Sequence, residues 1–233
     1  MKGSQQVGVV DCADAYHRRL EVVPPPPLAQ RIALGLMHAT QVATPSHRPG
    51  WVYEEKVDGY RMAAIRADDG TRLISRNGIQ HTRRFPELVQ ALDTLSPDTF
   101  LLDGQVAVYD RALISRFEWL RGRPEDEPAT LPVYMVFDVL ELGGKDLRRE
   151  PLWKRRKALE ELVAGARMIL PARRLSDNGL KAWAQAVHRG YEGMVGKDPE
   201  SLYVPGRTLK WLKVKQKNYR VKERGFYDPQ RTY

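Results

Sequence analysis

The stretch Glu54-Glu55-Lys56-Val57-Asp58-Gly59-Tyr60-Arg61 decides how the rest of the chain is read. Residues 51–57 (WVYEEKV) and 61–67 (RMAAIRA) are short and rich in β-branched, aliphatic and aromatic side chains, the mark of strands. Asp58-Gly59 between them is a turn pair, so the spacing predicts a strand that breaks just after Lys56. Side chains alternate faces along a strand, which sends Glu54 and Lys56 to one side and leaves the lysine at an edge open to a ligand. A lysine in that position is a nucleophile only as the neutral amine. Its ordinary pKa of about 10.4 must therefore fall, through neighbouring cations or loss of water. Taken alone, the octet fits a surface lysine beside a turn equally well.

Two further strands change the balance. In 100–109 (FLLDGQVAVY), Asp103 and Gln105 share a face with Leu101, while Leu102, Val106 and Val108 share the other. In 209–215 (LKWLKVK), Lys213 and Lys215 share a face with Trp211. Three strands thus each carry a polar pair at spacing two over an aliphatic backing. The pairs are a lysine with a carboxylate, a carboxylate with an amide, and two lysines. That mixture suits a phosphorylated ligand and a divalent metal. Strands are also expected at 72–76, 132–139 and 192–198, and helices at 86–95, 151–164 and 177–189. Leu152, Leu159, Leu162 and Val163 make the apolar face of the second helix, and Pro151 suits its first turn. Asn77-Gly78 marks a hairpin turn. Clustered strands with scattered helices predict an α+β fold.

Composition narrows the function classes. The 233 residues suffice for one large domain or two small ones. No apolar run approaches the ~20 residues of a membrane span, and Met1 to Gln6 lack a secretory core. Cys12 is the only cysteine, and the five histidines form no close pair, which excludes an internal disulfide and disfavours a structural zinc. A soluble, cytoplasmic monomer is expected, nucleoid-associated in a bacterium. The formal charge is +9; nine basic and two acidic residues between Pro205 and Tyr233 supply +7 of it, interleaved with Trp211, Tyr219, Phe226 and Tyr227. Such a pattern points to a polyanionic partner. Residues 1–23 are expected to be a flexible extension, Pro24 to Pro27 a stiff lead-in, and 217–233 a basic tail.

Lys56-Val57-Asp58-Gly59-Tyr60-Arg61 resembles the K-x-D-G-x-R motif of covalent nucleotidyltransferases, the superfamily of DNA ligases, RNA ligases and capping enzymes. Ser75-Arg76-Asn77-Gly78 resembles the arginine-bearing turn that follows it in DNA ligases. Leu102-Asp103-Gly104-Gln105 occupies the D-G-E position, and Tyr134 to Asp138 resembles the aromatic strand beside the base. Glu192 to Lys197 (EGMVGK) resembles E-G-x-V-x-K, and Lys210 to Lys215 (KWLKVK) resembles the closing W-x-K-x-K strand. One such motif is weak evidence; six in order are strong. The segment is no phosphate-binding P-loop, because Tyr191 stands where the first glycine should be and Asp198 replaces Ser or Thr. The connecting sequence is most similar to bacterial ATP-dependent DNA ligases of the end-joining kind.

The resemblance implies a ligase adenylation (ATP-grasp-like) fold over 24–216, with antiparallel sheets and flanking helices. It implies ATP and Mg2+ (or Mn2+) as cofactors, and nicked or broken double-stranded DNA as partner. Lys56 would attack the α-phosphate of ATP to give a lysyl–AMP. Arg61, Lys213 and Lys215 would lower its pKa and steady the phosphate. Glu54 would accept from the adenine amino group, Phe137 would stack on the ring, and Gln105 would reach a ribose hydroxyl. Glu192 would hold the metal, Lys197 a phosphate, and Arg76 the acceptor strand's 5′-phosphate. Beyond the matched motifs, the basic charge of the tail leads to the expectation that Lys217, Arg220, Lys222 and Arg224 line the DNA. Two departures stand out. Gln105 replaces the usual glutamate and brings no charge to a metal. Eighteen residues follow Lys215, too few for the OB-fold that normally clamps DNA, so the expectation is a minimal ligase, a clamp supplied by a repair protein on another chain, or a sequence that continues further. An RNA ligase, or a catalytically impaired nucleic-acid-binding relative, is the alternative.

Overall fold

The computed structural model describes residues 35–121, 128, 130–217 and 219. The N-terminal extension, the four prolines and Arg220, Lys222 and Arg224 lie outside the described residues.

Pleated runs with aliphatic backing need a second layer to cover that backing, and the described residues supply it with two sheets and the helices packed on them. The strands are β1 (Met37–Gln41), β2 (Val52–Glu55), β3 (Tyr60–Ala67), β4 (Gly70–Ser75), β5 (Phe100–Ala107), β6 (Val133–Leu142), β7 (Lys145–Asp146), β8 (Ile169–Pro171), β9 (Gly193–Lys197) and β10 (Gly206–Lys215). The helices are α1 (Pro86–Asp93), α2 (Leu152–Leu162) and α3 (Gly179–His188). The larger sheet runs β4-β3-β5-β6-β7, with β8 also paired to β6; the smaller runs β1-β10-β9-β2. Most pairs are antiparallel, as expected, but β1 with β10 and β6 with β8 are parallel.

On the larger sheet Met62, Ala64, Leu102, Val106, Tyr134 and Val136 pack with Leu88 and Leu92 of α1 and Leu159 of α2. Each fully buried aliphatic side chain there contributes ~1.5–3 kcal/mol. Proline at the start of α1 removes an N–H that no helix could use. Asn178 caps α3 by accepting from the N–H groups of Leu180 and Lys181, worth about 1 kcal/mol. That helix packs on the smaller sheet, with Ala182 and Ala186 against Tyr53, Met194 and Val214. Where the sheets meet, Met37, Leu140, Leu152, Tyr203 and Trp211 form a third cluster, against which Phe137 packs.

Every strand and helix expected over the described residues is present within three residues of its bounds. The turn at Asn77-Gly78 is also formed: Gly78 has φ +80° and donates to Ser75 O at 2.8 Å. Three strands were not foreseen, β1, β7 and β8. β1 alternates over only four residues, Met37 and Ala39 against His38 and Thr40, too short a pattern to announce it. Its partner β10 lies some 170 residues further on.

Two motif glycines draw the backbones together. A Cβ on Gly59 would sit 2.4 Å from Val106 O, and one on Gly193 would sit 1.9 Å from Val214 O. Any other residue would push the turn after Lys56 away from β5, or the strand after Glu192 away from β10.

Candidate active site

β9 lies between β2 and β10 and is antiparallel to both. Glu55 is in register with Met194, and Lys215 with Gly193. The end of β2, the start of β9 and the end of β10 therefore coincide, which brings Lys56, Glu192 and Lys215 together. The Lys56 N–H still donates to Gly193 O at 3.0 Å, so the lysine is fixed to the sheet one residue beyond its strand. Its side chain is 14% exposed and donates to Glu192 Oε2. The other carboxylate oxygen of Glu192 pairs with Lys215 Nζ at 2.7 Å.

Burial is the main force pushing the Lys56 amine below its ordinary pKa; Lys215 adds to the shift and Glu192 opposes it. Lys213, half-buried, is itself pushed down by burial and by the charges of Lys56 and Lys215. Asp58, in the turn, has its carboxyl raised to about 6, chiefly by burial and then by Glu192. Its N–H donates to Ser115 Oγ at 2.9 Å, and Tyr219 OH donates to Oδ2 at 3.3 Å.

Arg61 was expected to act on Lys56, but its guanidinium is committed elsewhere. Nε and Nη2 donate to the two oxygens of Asp103 at 3.0 and 2.6 Å, and Nη2 also reaches Met37 O at 2.6 Å. Asp103 also accepts from Tyr203 OH at 2.6 Å. Held this way, Arg61 lies 5.3 Å from the centroid of the Phe137 ring and forms a wall of the site. Phe137 is half-buried, edge-on to Trp211, with Lys197 Nζ 4.7 Å from its centroid. Gln105 is half-buried and in register with Arg61.

Glu54 is buried and both of its oxygens are engaged: Oε1 by Arg156 Nη1, Oε2 by Lys197 Nζ at 2.7 Å. Lys197, expected at a phosphate, sits instead on this carboxylate. Arg76 is exposed at its turn, close enough to His38 to help lower the imidazole pKa, after burial and Arg61. Lys217 is exposed.

The structure thus gathers Lys56, Glu192, Lys213 and Lys215 in one group and Glu54, Phe137 and Lys197 in a second, with Arg61 and Gln105 on the adjoining sheet. The sequence reading passed over Arg156, His38 and the tie from Tyr219 to Asp58. Only Arg156 left a signal. It falls on the stripe of Leu152 and Leu159, facing the core at helical spacing.

A family model for the ATP-dependent DNA ligase domain matches residues 26–215. The chain belongs to this family. The multifunctional non-homologous end joining protein LigD of Pseudomonas aeruginosa is 36% identical over 171 residues, covering 72% of this chain and 20% of that protein. DNA ligase C1 of Mycolicibacterium smegmatis is 33% identical over 193 residues, covering 77% of this chain and 55% of that protein. The chain therefore spans about a fifth of LigD and about half of DNA ligase C1. Among solved structures, mycobacterial DNA ligase D complexed with ATP and MES superposes with a TM-score of 0.67 at 30% identity, over 78% of this chain and 60% of that one. The ligase of bacteriophage T7, 18% identical with a TM-score of 0.55, shares the fold. The ligase adenylation fold expected from the motifs is the fold observed.

Proposed function

We propose that the chain carries the adenylate-transferring centre of an ATP-dependent DNA ligase that seals nicks or breaks in duplex DNA. The observation that carries this reading is the placing of the Lys56 amine, largely withdrawn from water and lowered in pKa, beside Glu192, which Lys215 also holds. Lys56 Nζ attacks the α-phosphorus of ATP; a P–N bond forms, the bond to the bridging oxygen breaks, and pyrophosphate leaves. AMP then passes to a 5′-phosphate at the break, and the neighbouring 3′-hydroxyl displaces it. Lys213 and Lys215 hold the charge of the transferring phosphate. Phe137 stacks on the adenine, Glu54 accepts from its amino group, and Gln105 reaches the ribose. Arg76, Lys217 and the basic residues Arg220, Lys222 and Arg224 contact the DNA.

Among the described residues no group of three or more His, Cys, Asp or Glu could hold a metal ion. Glu192 alone still fits magnesium, which takes one or two carboxylates and fills its remaining positions with phosphate oxygens and water. When bound there, the metal (Mg2+ or Mn2+) neutralises phosphate charge. Glu192 would hold it, and a carboxylate so engaged would stabilise the Lys56 ammonium less, favouring the neutral amine. No described helix is long and apolar enough to cross a membrane. A monomer acting in the cytoplasm, with a clamp from a repair protein, completes the reading.

The test is sealing of a 5′-phosphorylated nick in duplex DNA, beside the same nick in RNA. Sealed DNA and a transient adenylated strand are expected, both lost in Lys56→Ala. Sealing of RNA without sealing of DNA would overturn the assignment of substrate.

A further inference from the structure

Arg156 belongs to none of the sequence motifs, yet it is among the most deeply buried charges in the protein, with a side chain 4% exposed. Its three nitrogens have three different partners. Nη1 donates to Glu54 Oε1, Nη2 to Ala172 O at 2.6 Å, and Nε to Glu160 Oε1 at 3.1 Å. The guanidinium plane is thereby pinned between α2 and the segment after β8. On the other side of Glu54, Lys197 Nζ lies 2.7 Å from Oε2, 4.7 Å from the centroid of Phe137 and 4.3 Å from that of Trp211. One lysine therefore touches both the carboxylate and the ring.

A carboxylate oxygen has two lone-pair directions. With one N–H donor on each oxygen, Glu54 cannot rotate without breaking a buried ion pair, and each oxygen retains the capacity to accept a second donor. What it offers is a pure acceptor at a fixed angle beside an aromatic face. Adenine presents an amino donor at position 6; guanine and hypoxanthine present a carbonyl oxygen there. A pure acceptor hydrogen-bonds the first and repels the others. A carboxyl group that is free to turn or to carry a proton loses that distinction.

We propose that Arg156 and Lys197 are positioning residues for base recognition, locking Glu54 as a fixed acceptor so that ATP is taken and 6-oxopurine nucleotides are refused. This rests on the reading that ATP is the substrate and that Glu54 meets its base. Burial of two cations on one carboxylate is difficult to account for by stability alone, since apolar residues of similar volume serve a core as well or better.

The experiment follows transfer of nucleotide onto Lys56 of the full chain, with ATP and ITP compared in wild type, Arg156→Gln, Arg156→Lys and Lys197→Met. The readout is the ratio of kcat/KM for the two nucleotides, which does not depend on how much of each preparation is folded. Wild type is expected to prefer ATP by ~100-fold or more, since a site built around a donor rejects an analogue that lacks it. Arg156→Gln and Lys197→Met should narrow the ratio at least ~10-fold, mainly by raising KM for ATP, and Arg156→Lys should recover part of the loss. If Arg156→Gln does not fold, the same ratio in Arg156→Lys and Lys197→Met decides. A wild-type ratio retained in the variants overturns the proposal, as does a wild type that accepts both nucleotides equally. No transfer from either nucleotide in wild type would refute the function proposed above instead.

Discussion

Lys56 and Glu55 are neighbours on one strand end, yet burial acts on them in opposite chemical directions. Burial disfavours charge, so the Lys56 amine is pushed below its ordinary value of 10.5 and the Glu55 carboxyl is raised from 4.5 to about 7. For the lysine this supplies the neutral nucleophile. The rate of self-adenylation should climb with pH and level off below the pKa of a free lysine. In Lys215→Met the inflection should move to higher pH, because the cation that helps lower the amine is gone. An inflection that stays in place would show that burial acts alone. Glu55 has no such use in the proposed chemistry. Arg173 Nη1 comes within 2.9 Å of Oε2, but that nitrogen is directed at Tyr191 OH, and no described group hydrogen-bonds either carboxylate oxygen. A carboxyl with a raised folded-state pKa binds its proton more tightly in the native state. Its contribution is fully present below the unfolded pKa of 4.5 and is lost as pH rises through about 7. Glu55→Gln should therefore gain on wild type by up to ~3 kcal/mol between mildly acidic and mildly alkaline pH, measured by urea unfolding. A gap that does not change with pH would contradict this.

At the scale of elements, α2 shows how far the sequence could be read. The run Trp153-Lys154-Arg155-Arg156-Lys157 resembles a solvated face, but positions 155 and 156 fall between Leu152 and Leu159 on the core side. Arg155 is fully buried, bidentate on Asp138 at 2.8 Å for both bonds, and also donates to Glu150 O and Ser201 O. Arg155→Met should lower stability by ~3–5 kcal/mol, because the buried Asp138 carboxyl loses its bidentate cation, and a second change Asp138→Leu should recover much of it. Denaturant titration of the single and double variants checks this; a single variant as stable as wild type would mean that Asp138 finds another partner. The motif strands were legible because each combines alternation with local chemistry. β1 and β8 were not, because short strands with parallel partners far along the chain leave no local signature. The group of Lys56, Glu192 and Lys215 was legible as a family pattern, whereas the clamp of Arg156 on Glu54 depends on how α2 docks on the sheet.

For the whole molecule, register converts three distant segments into one site, and the chain beyond β10 returns to it. Tyr219 OH donates to Asp58 Oδ2 and to Ser115 O, so packing continues past Gln216, where the domain was expected to end. A chain truncated after Tyr219 keeps this tie but loses Arg220, Lys222, Arg224 and Arg231. It should self-adenylate normally and bind nicked DNA with a flatter salt dependence, by about 0.9 in the log–log slope for each phosphate that is no longer neutralised. An unchanged slope would remove the tail from the interface. The catalytic expectations depend on Lys56 accepting AMP. The most direct measurement is the intact mass of the purified chain after incubation with ATP and magnesium. The account predicts the gain of a single AMP, labile in acid and stable in base, absent from Lys56→Ala and also from Lys56→Arg, whose guanidinium stays protonated. No gain in the wild-type chain, or a gain that persists in Lys56→Ala, would contradict it.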